Sequence, residues 1–232
     1  MYDLCFRSLQ GLPLPARTLT TLFIEAILGR ILCSEAVIVC GYVWMSNHVH
    51  MQLFSLDSLA LTHFHERLKK RLTDFLKRLL NLSQLHLWDK RTTIGEVLDL
   101  QAAIDRIVYT YLNPVRAGLA RSIDDYRGCH TWREFISVPA DVNASVEREV
   151  PWILATDISG LSQVNPSLRE EQTLIQSIES RASQRKRNIV RVMPLKWLEA
   201  FGIVEPSEIE KVRQRIIAEV REQEARLAPK ST

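Results

Sequence analysis

The sequence predicts an α+β protein in which helices pack on an antiparallel sheet. Val-rich and alternating segments at 36–45 and 48–54 flank the turn-forming pair Ser46-Asn47, and this arrangement indicates a β-hairpin. Apolar residues recur three and four positions apart at 18–33, 61–79 and 100–112, which indicates helices with one buried side. Because helical and strand-like segments alternate along the chain, both must contribute to one core.

In chain order, the sequence predicts a strand, a helix, two strands, a helix, a loop and a helix. The segment 2–8 is compatible with an opening strand, and the loop is expected around 88–91. Pro114 should limit the last of these helices, since the residue before a proline disfavours the helical conformation. The composition changes after Phe135, where 137–165 resembles a loop and 207–227 a highly charged helix. We therefore predict a domain at 1–136 and a mainly helical C-terminal extension at 137–232.

Composition narrows the class of protein but does not define it. The chain has 232 residues, a net charge of +3 and an isoelectric point near 8.7, which permits a nucleic-acid partner without demanding one. Its four cysteines form no CxxC pair and suggest free thiols in a reducing compartment. The apolar stretch 22–28 is too short to span a bilayer, and no signal peptide is recognised, so we expect a cytoplasmic protein without membrane association.

Basic residues cluster at 67–78 and again at 181–191. Each cluster could contact DNA, and each could equally be an ordinary solvated helix face. Within the first cluster, Lys69, Lys70 and Arg71 are the candidates for tracking a DNA backbone. Arg116 is a further candidate for a phosphate contact, although it could instead cap the end of its helix.

His48 and His50 are two residues apart on a predicted strand, so their side chains should point to the same side. Val49, Met51 and Leu53 lie on the opposite, apolar side, which must face the core. Two adjacent imidazoles can hold a divalent metal, and nitrogen donors favour Mn²⁺ over Mg²⁺. They could also be two ordinary polar residues on an outer face. The pair His63 and His65 lies in a helix, where this spacing separates the side chains and makes a poor chelate.

The helix over 100–112 contains two tyrosines that the apolar spacing distinguishes. Tyr111 falls on the buried side and is most simply a core residue. Tyr109 falls off that side, in a row with Asp105 and Asn113. The row could be solvent surface, or it could join a nucleophile to a metal-binding amide one turn away. Periodicity does not decide between these alternatives, but it selects Tyr109 over Tyr111.

Two segments resemble the single-tyrosine (Y1) transposases of the HUH class. The first runs from Gly41 to His50 and carries the two histidines around a bulky Val49. The second is Tyr109-Thr110-Tyr111-Leu112 followed by Asn113-Pro114-Val115-Arg116-Ala117-Gly118-Leu119, which is most similar to the branch called REP-associated tyrosine transposases. The segment Leu87-Trp88-Asp89-Lys90-Arg91 is similar to the family's link between these motifs. The resemblance covers roughly residues 1–135.

The resemblance implies a ferredoxin-like sheet with the histidines on a central strand, and it implies a chemistry. Tyr109 would attack a phosphodiester of single-stranded DNA near a hairpin, join the 5′ phosphate and release a 3′ hydroxyl. A free tyrosine is a weak nucleophile at neutral pH, so Mg²⁺ or Mn²⁺ held by His48 and His50 would activate the phosphate. Asn113 would be the third ligand, on a shorter arm than the glutamine of related enzymes. Ser46 also departs from the family, which often has proline there.

Three functions remain open at this stage. The first is a metal-dependent single-strand endonuclease and strand transferase, and the second is a domesticated protein that only binds DNA hairpins. The third is a metal-dependent hydrolase that uses water as its nucleophile. The role of 137–232 stays open between hairpin contact, partner binding and self-association, so a homodimer is also an open alternative.

Overall fold

The structure of the chain is a computed structural model, and it describes residues 1–9, 18–158 and 168–227. The strands are β1 (Tyr2–Ser8), β2 (Ile38–Trp44), β3 (His48–Phe54), β4 (Trp88–Glu96), β5 (Val146–Val150) and β6 (Asn188–Val192). The α-helices are α1 (Thr18–Leu32), α2 (Ser58–Leu79), α3 (Leu100–Arg116), α4 (Trp132–Ser137), α5 (Leu168–Ala182) and α6 (Pro206–Leu227). Short 3₁₀ helices lie at Ile123–Asp125, Ala155–Asp157 and Lys196–Phe201.

The sheet has the strand order β4-β1-β3-β2-β6-β5. Its first four strands are antiparallel neighbours and, with α1 and α2, follow the chain order β-α-β-β-α-β. This order and direction of strands define a ferredoxin-like unit, which confirms the predicted fold class. The hairpin of β2 and β3 is also confirmed, and β3 lies inside the sheet between β1 and β2.

One face of the sheet carries the first hydrophobic core. Val49, Met51 and Leu53 of β3 are all at most 1% exposed and pack in this core with Phe6 of β1. The helices α1 and α2 cover it with their apolar sides, as the helical periodicity predicts. Asp57 caps α2 by accepting a hydrogen bond from the Leu59 amide at 2.8 Å, which fixes where this helix begins.

The opposite face of the sheet is covered by a second core, which the sequence analysis did not anticipate. Here α3 and α6 pack with the 3₁₀ helix Lys196–Phe201, and Phe54 of β3 joins them. The histidine side of β3 is therefore not an outer surface. It lies under α3, so polar side chains of β3 and α3 face and contact each other.

The C-terminal extension is mainly helical, but it also contributes two strands to the same sheet. β6 pairs in parallel with β2, and β5 pairs antiparallel with β6. Both were missed because each is only five residues long: β5 has three charged residues in a row, and β6 follows a basic run, so neither carries the longer alternating pattern that predicts a strand. The prediction of a loop at 88–91 was also wrong, since this segment is the start of β4, an edge strand that pairs with β1. The predicted boundary at 136 separates two stretches of sequence that share one sheet and both cores.

None of the helices in the described ranges combines the length and the apolar character needed to cross a lipid bilayer.

Candidate active site

The site is built first from strand β3, which presents His48 and His50 toward α3. Their ring centroids are 5.0 Å apart and the rings are nearly perpendicular, at 89°. His50 is buried, with 6% of its surface exposed, whereas His48 opens the strand and is half-buried. Strand alternation alone places the two imidazoles side by side, because Val49 between them points into the first core.

Helix α3 packs against β3, and each polar side chain of β3 has a neighbour on α3. Thr110 accepts a hydrogen bond from the Gln52 side chain at 2.6 Å, and the ring of Tyr109 lies 5.4 Å from that of His50. Asn113 continues this line at His48. Tyr111 is 1% exposed and packs in the second core, so only Tyr109 reaches the histidines. The structure therefore brings together all four residues that the sequence analysis singled out for the chemistry.

Helix α3 extends further than the sequence predicts. Asp99 caps its start by accepting a hydrogen bond from the Ala102 amide at 2.8 Å. The helix passes through Pro114 and ends at Arg116, because the amide of Ala117 still bonds the carbonyl of Asn113 at 3.0 Å. The additional turn keeps Asn113 helical and brings Arg116 back beside Tyr109.

The amide of Asn113 is oriented by its own helix. Its Nδ2 donates to the backbone carbonyl of Tyr109 at 2.9 Å, so its Oδ1 is the free end of the amide near His48. On the other side of His48, the side-chain Oδ1 of Asn47 lies 2.7 Å from Nδ1. When Nδ1 of the neutral ring donates to Asn47, Nε2 keeps its lone pair.

Burial keeps both imidazoles neutral at pH 7. It lowers the pKa of His50 to about 4, and the positive charges of Arg7 and Arg106, and of His48 when that ring is protonated, act in the same direction. Burial also lowers the pKa of His48. The hydrogen bond with Asn113 raises this pKa, whereas the charge of Arg7 lowers it further. Neutral imidazoles have the lone pairs that a metal requires. The described residues contain no group of three or more His, Cys, Asp or Glu side chains placed to hold a metal ion, so a third protein ligand would be an amide such as Asn113.

Three arginines surround this site. Arg116 lies over the Tyr109 ring, with Cζ 5.2 Å from the ring centroid, and donates to Gln223 of α6 at 3.1 Å. Arg106 pairs with Asp3 of β1 at 3.8 Å. Arg7 of β1 is the register partner of His48. The sequence analysis missed Arg106, which lies on α3 outside the Asp105, Tyr109 and Asn113 row, and Arg7, because β1 carries no motif. The signal for Arg7 was strand alternation, which points its side chain away from the side of the buried Phe6.

The basic residues predicted on α2 lie elsewhere. Helix α2 packs on the first core, on the opposite face of the sheet from the two histidines. Lys69 donates to Thr92 of β4 at 3.2 Å, and Lys70 is exposed beside it. Lys69, Lys70 and Arg71 are therefore not brought to the site, whereas Arg116 is.

The second basic cluster, at 181–191, is largely neutralised by acidic partners. Arg185 binds both carboxylate oxygens of Asp157, at 2.5 and 2.9 Å, and Arg181 donates to the Asp157 carbonyl. Arg187 and Arg191 pair with Glu149 and Glu147 across β5 and β6. These arginines hold the extension together, which makes the cluster less available to DNA than its charge suggests.

Comparisons with known proteins give limited information. No family model matches the chain, and no curated protein matches it. Among solved structures, the chain is similar to a REP-associated tyrosine transposase bound to a REP hairpin. The two are 14% identical, the TM-score is 0.49, and the similarity covers 59% of this chain and 78% of the other. The fold assignment above rests on the strand order and register of this chain.

Proposed function

We propose that this protein is a metal-dependent single-strand DNA endonuclease and strand transferase that forms a 5′-phosphotyrosine intermediate. The observation that carries the proposal is the packing of Tyr109 against His50, beside His48, within one chain. This contact brings a half-buried phenol against a buried imidazole, which in turn lies beside a second imidazole.

The donor set fits a divalent metal. His48 and His50 supply two nitrogen lone pairs, and the Oδ1 of Asn113 supplies a carbonyl oxygen near His48. Mixed nitrogen and oxygen donors suit Mn²⁺ and also accept Mg²⁺. When bound, the metal would polarise the scissile phosphate and stabilise its growing negative charge.

In this proposal Tyr109 acts as the nucleophile. Its oxygen would form a bond to phosphorus as the bond from phosphorus to the 3′ oxygen breaks. The phenolic proton leaves to solvent, and the departing 3′ oxygen takes up a proton, so the step is balanced. The guanidinium of Arg116 lies over the Tyr109 ring and would stabilise the negative charge of the phenolate as it forms. The hydrogen bond from Asn113 Nδ2 to the Tyr109 carbonyl holds the turn of α3 that carries both residues. A second 3′ hydroxyl can then attack the phosphotyrosine and complete strand transfer.

The substrate we propose is single-stranded DNA next to a hairpin, handled in the cytoplasm. This follows the resemblance of the His48 and Tyr109 segments to REP-associated tyrosine transposases.

The test is a search for a denaturant-resistant protein–DNA adduct. Labelled hairpin oligonucleotides, taken from DNA that flanks the gene, are incubated with the protein and Mn²⁺ or Mg²⁺. We expect an adduct that EDTA prevents, that Tyr109→Phe abolishes and that the matched control Tyr111→Phe retains. Tight hairpin binding with no adduct would identify a DNA-binding protein instead. Cleavage by Tyr109→Phe would identify a hydrolase that uses water.

A further inference from the structure

The end of the site at His48 is open to solvent and flanked by two exposed arginines. Arg7 lies at the end of β1, directly opposite His48 in the strand register. Directly opposed residues in an antiparallel pair share a face, with Cβ atoms about 5 Å apart. Arg116 lies on α3, one turn beyond Asn113, and is also exposed. The two guanidinium groups therefore border the same opening from the strand side and from the helix side.

Arg7 differs from the other two arginines in its surroundings. Arg106 is paired with Asp3, and Arg116 is held by Gln223 and the Tyr109 ring. Arg7 lies beside the Cys5 thiol, and the ion pairs formed within the described ranges do not include it. Its charge reaches both histidine rings. Within the described ranges Arg7 has a hydrogen bond with the Cys5 thiol and no ion pair, so this solvent-facing arginine keeps further donors for an anion at the entrance to a site for phosphodiester chemistry.

The geometry points to Arg7 as a DNA phosphate-binding residue that holds the strand at the His48 end of the site, opposite Arg116. The inference rests on the proposed function, because it names the group that presents the phosphodiester to Tyr109. The planar guanidinium can donate two parallel hydrogen bonds to one phosphate, whereas a lysine at this position offers only a point charge.

The first experiment measures binding alone, so that it does not depend on cleavage. Equilibrium binding of single-stranded hairpin oligonucleotides is titrated against salt for the wild type, Arg7→Gln and Arg7→Lys. Arg187→Gln is the matched control, because it removes the same charge from an exposed arginine at the β5–β6 edge of the sheet. One lost phosphate contact lowers the slope of log K against log salt by about 0.7 for a single strand. We expect that change for Arg7→Gln, little change for Arg7→Lys and none for Arg187→Gln.

The second experiment follows the rate of adduct formation for the same variants. We expect Arg7→Gln to slow it on the order of ten-fold, and Arg7→Lys to recover only part of the rate because the fork of donors is lost. Thermal unfolding of each variant checks that the fold is intact. An unchanged salt slope together with an unchanged adduct rate in Arg7→Gln would overturn the inference. If the wild type forms no adduct but Arg7→Gln still changes the salt slope, the proposed function fails and the phosphate contact stands. If the wild type binds no oligonucleotide, both fail.

Discussion

Replacing Gly41 with alanine is expected to disturb the helix that carries Tyr109. Gly41 lies in β2 under α3, and a Cβ at this position would lie 3.0 Å from the Tyr111 Oη, 3.2 Å from the Gln52 Oε1 and 3.4 Å from the Thr131 Oγ1. The first two distances are shorter than ordinary van der Waals contact. Tyr111 cannot easily move away, because its ring packs against Trp132 with centroids 4.9 Å apart in a fully buried position.

The expected cost follows from overpacking. An extra methyl group in a well-packed core costs about 1–3 kcal/mol, from which the lower entropy of the unfolded alanine chain recovers up to about 1 kcal/mol. A net loss of about 2 kcal/mol would lower the melting temperature of a chain of this size by about 4–8 °C. Because Tyr111 is two residues from Tyr109 on α3, we also expect slower adduct formation.

A double-mutant cycle with Tyr111→Phe tests the cause of that loss. Removing the Tyr111 oxygen takes away the closest obstacle, and it should itself cost less than about 1 kcal/mol, since this hydroxyl makes only long hydrogen bonds to Thr131, at 3.3 and 3.5 Å. In the Tyr111→Phe background, Gly41→Ala should then be nearly neutral, which gives a coupling of about 1–2 kcal/mol in urea unfolding. An equal loss in both backgrounds would refute the steric reasoning.

Three further predictions concern titration, the origin of the catalytic residues and the extension. Burial lowers the pKa of His65 to about 4, so between about pH 6.5 and 4 this imidazole is protonated in the unfolded chain but neutral in the folded protein. The free energy of unfolding should therefore fall by about 2 kcal/mol as the pH is lowered from 6.5 to 4. Urea unfolding should show a smaller fall for His65→Met, and an equal fall in the wild type and the variant would contradict the prediction. A mixture of Tyr109→Phe and His48→Ala chains should form no adduct, since both groups act within one chain; recovery of the adduct would show exchange between chains. Asp157→Asn should lower the melting temperature, since it removes the charge that pairs with Arg185, and it should leave adduct formation unchanged.

The parts of the site that could be predicted from sequence are those that local periodicity determines. Strand alternation places His48 and His50 on one side of β3, and helical spacing separates the exposed Tyr109 from the buried Tyr111. Both arguments need only the residues within one element. The resemblance to a known family then selects a chemistry for residues that periodicity had already brought to the surface of their elements.

The parts that could not be predicted depend on which elements become neighbours. Arg7 lies opposite His48 only because β1 pairs with β3, and the sequence of β1 contains nothing that specifies this partner. Similarly, β5 and β6 are only five residues long, and they become strands because β6 pairs with β2 and β5 pairs with β6. The charges at 181–191 suggest a DNA-binding surface until the acidic partners on β5 and at Asp157 are placed beside them.

The C-terminal helix α6 packs against α3, the helix that carries Tyr109, and bears on whether α3 could exchange between chains. Ile209, Ile216 and Val220 of α6 are fully buried in the second core with α3, and Gln223 accepts the hydrogen bond of Arg116. Moving α3 to the site of a second chain would expose these three side chains, at a cost on the order of 6 kcal/mol. That cost is comparable to the whole stability of many domains, which is about 5–15 kcal/mol. Exchange of the tyrosine helix therefore requires α6 to travel with it, and a homodimer that leaves α6 in place would hold two complete sites, each formed by one chain.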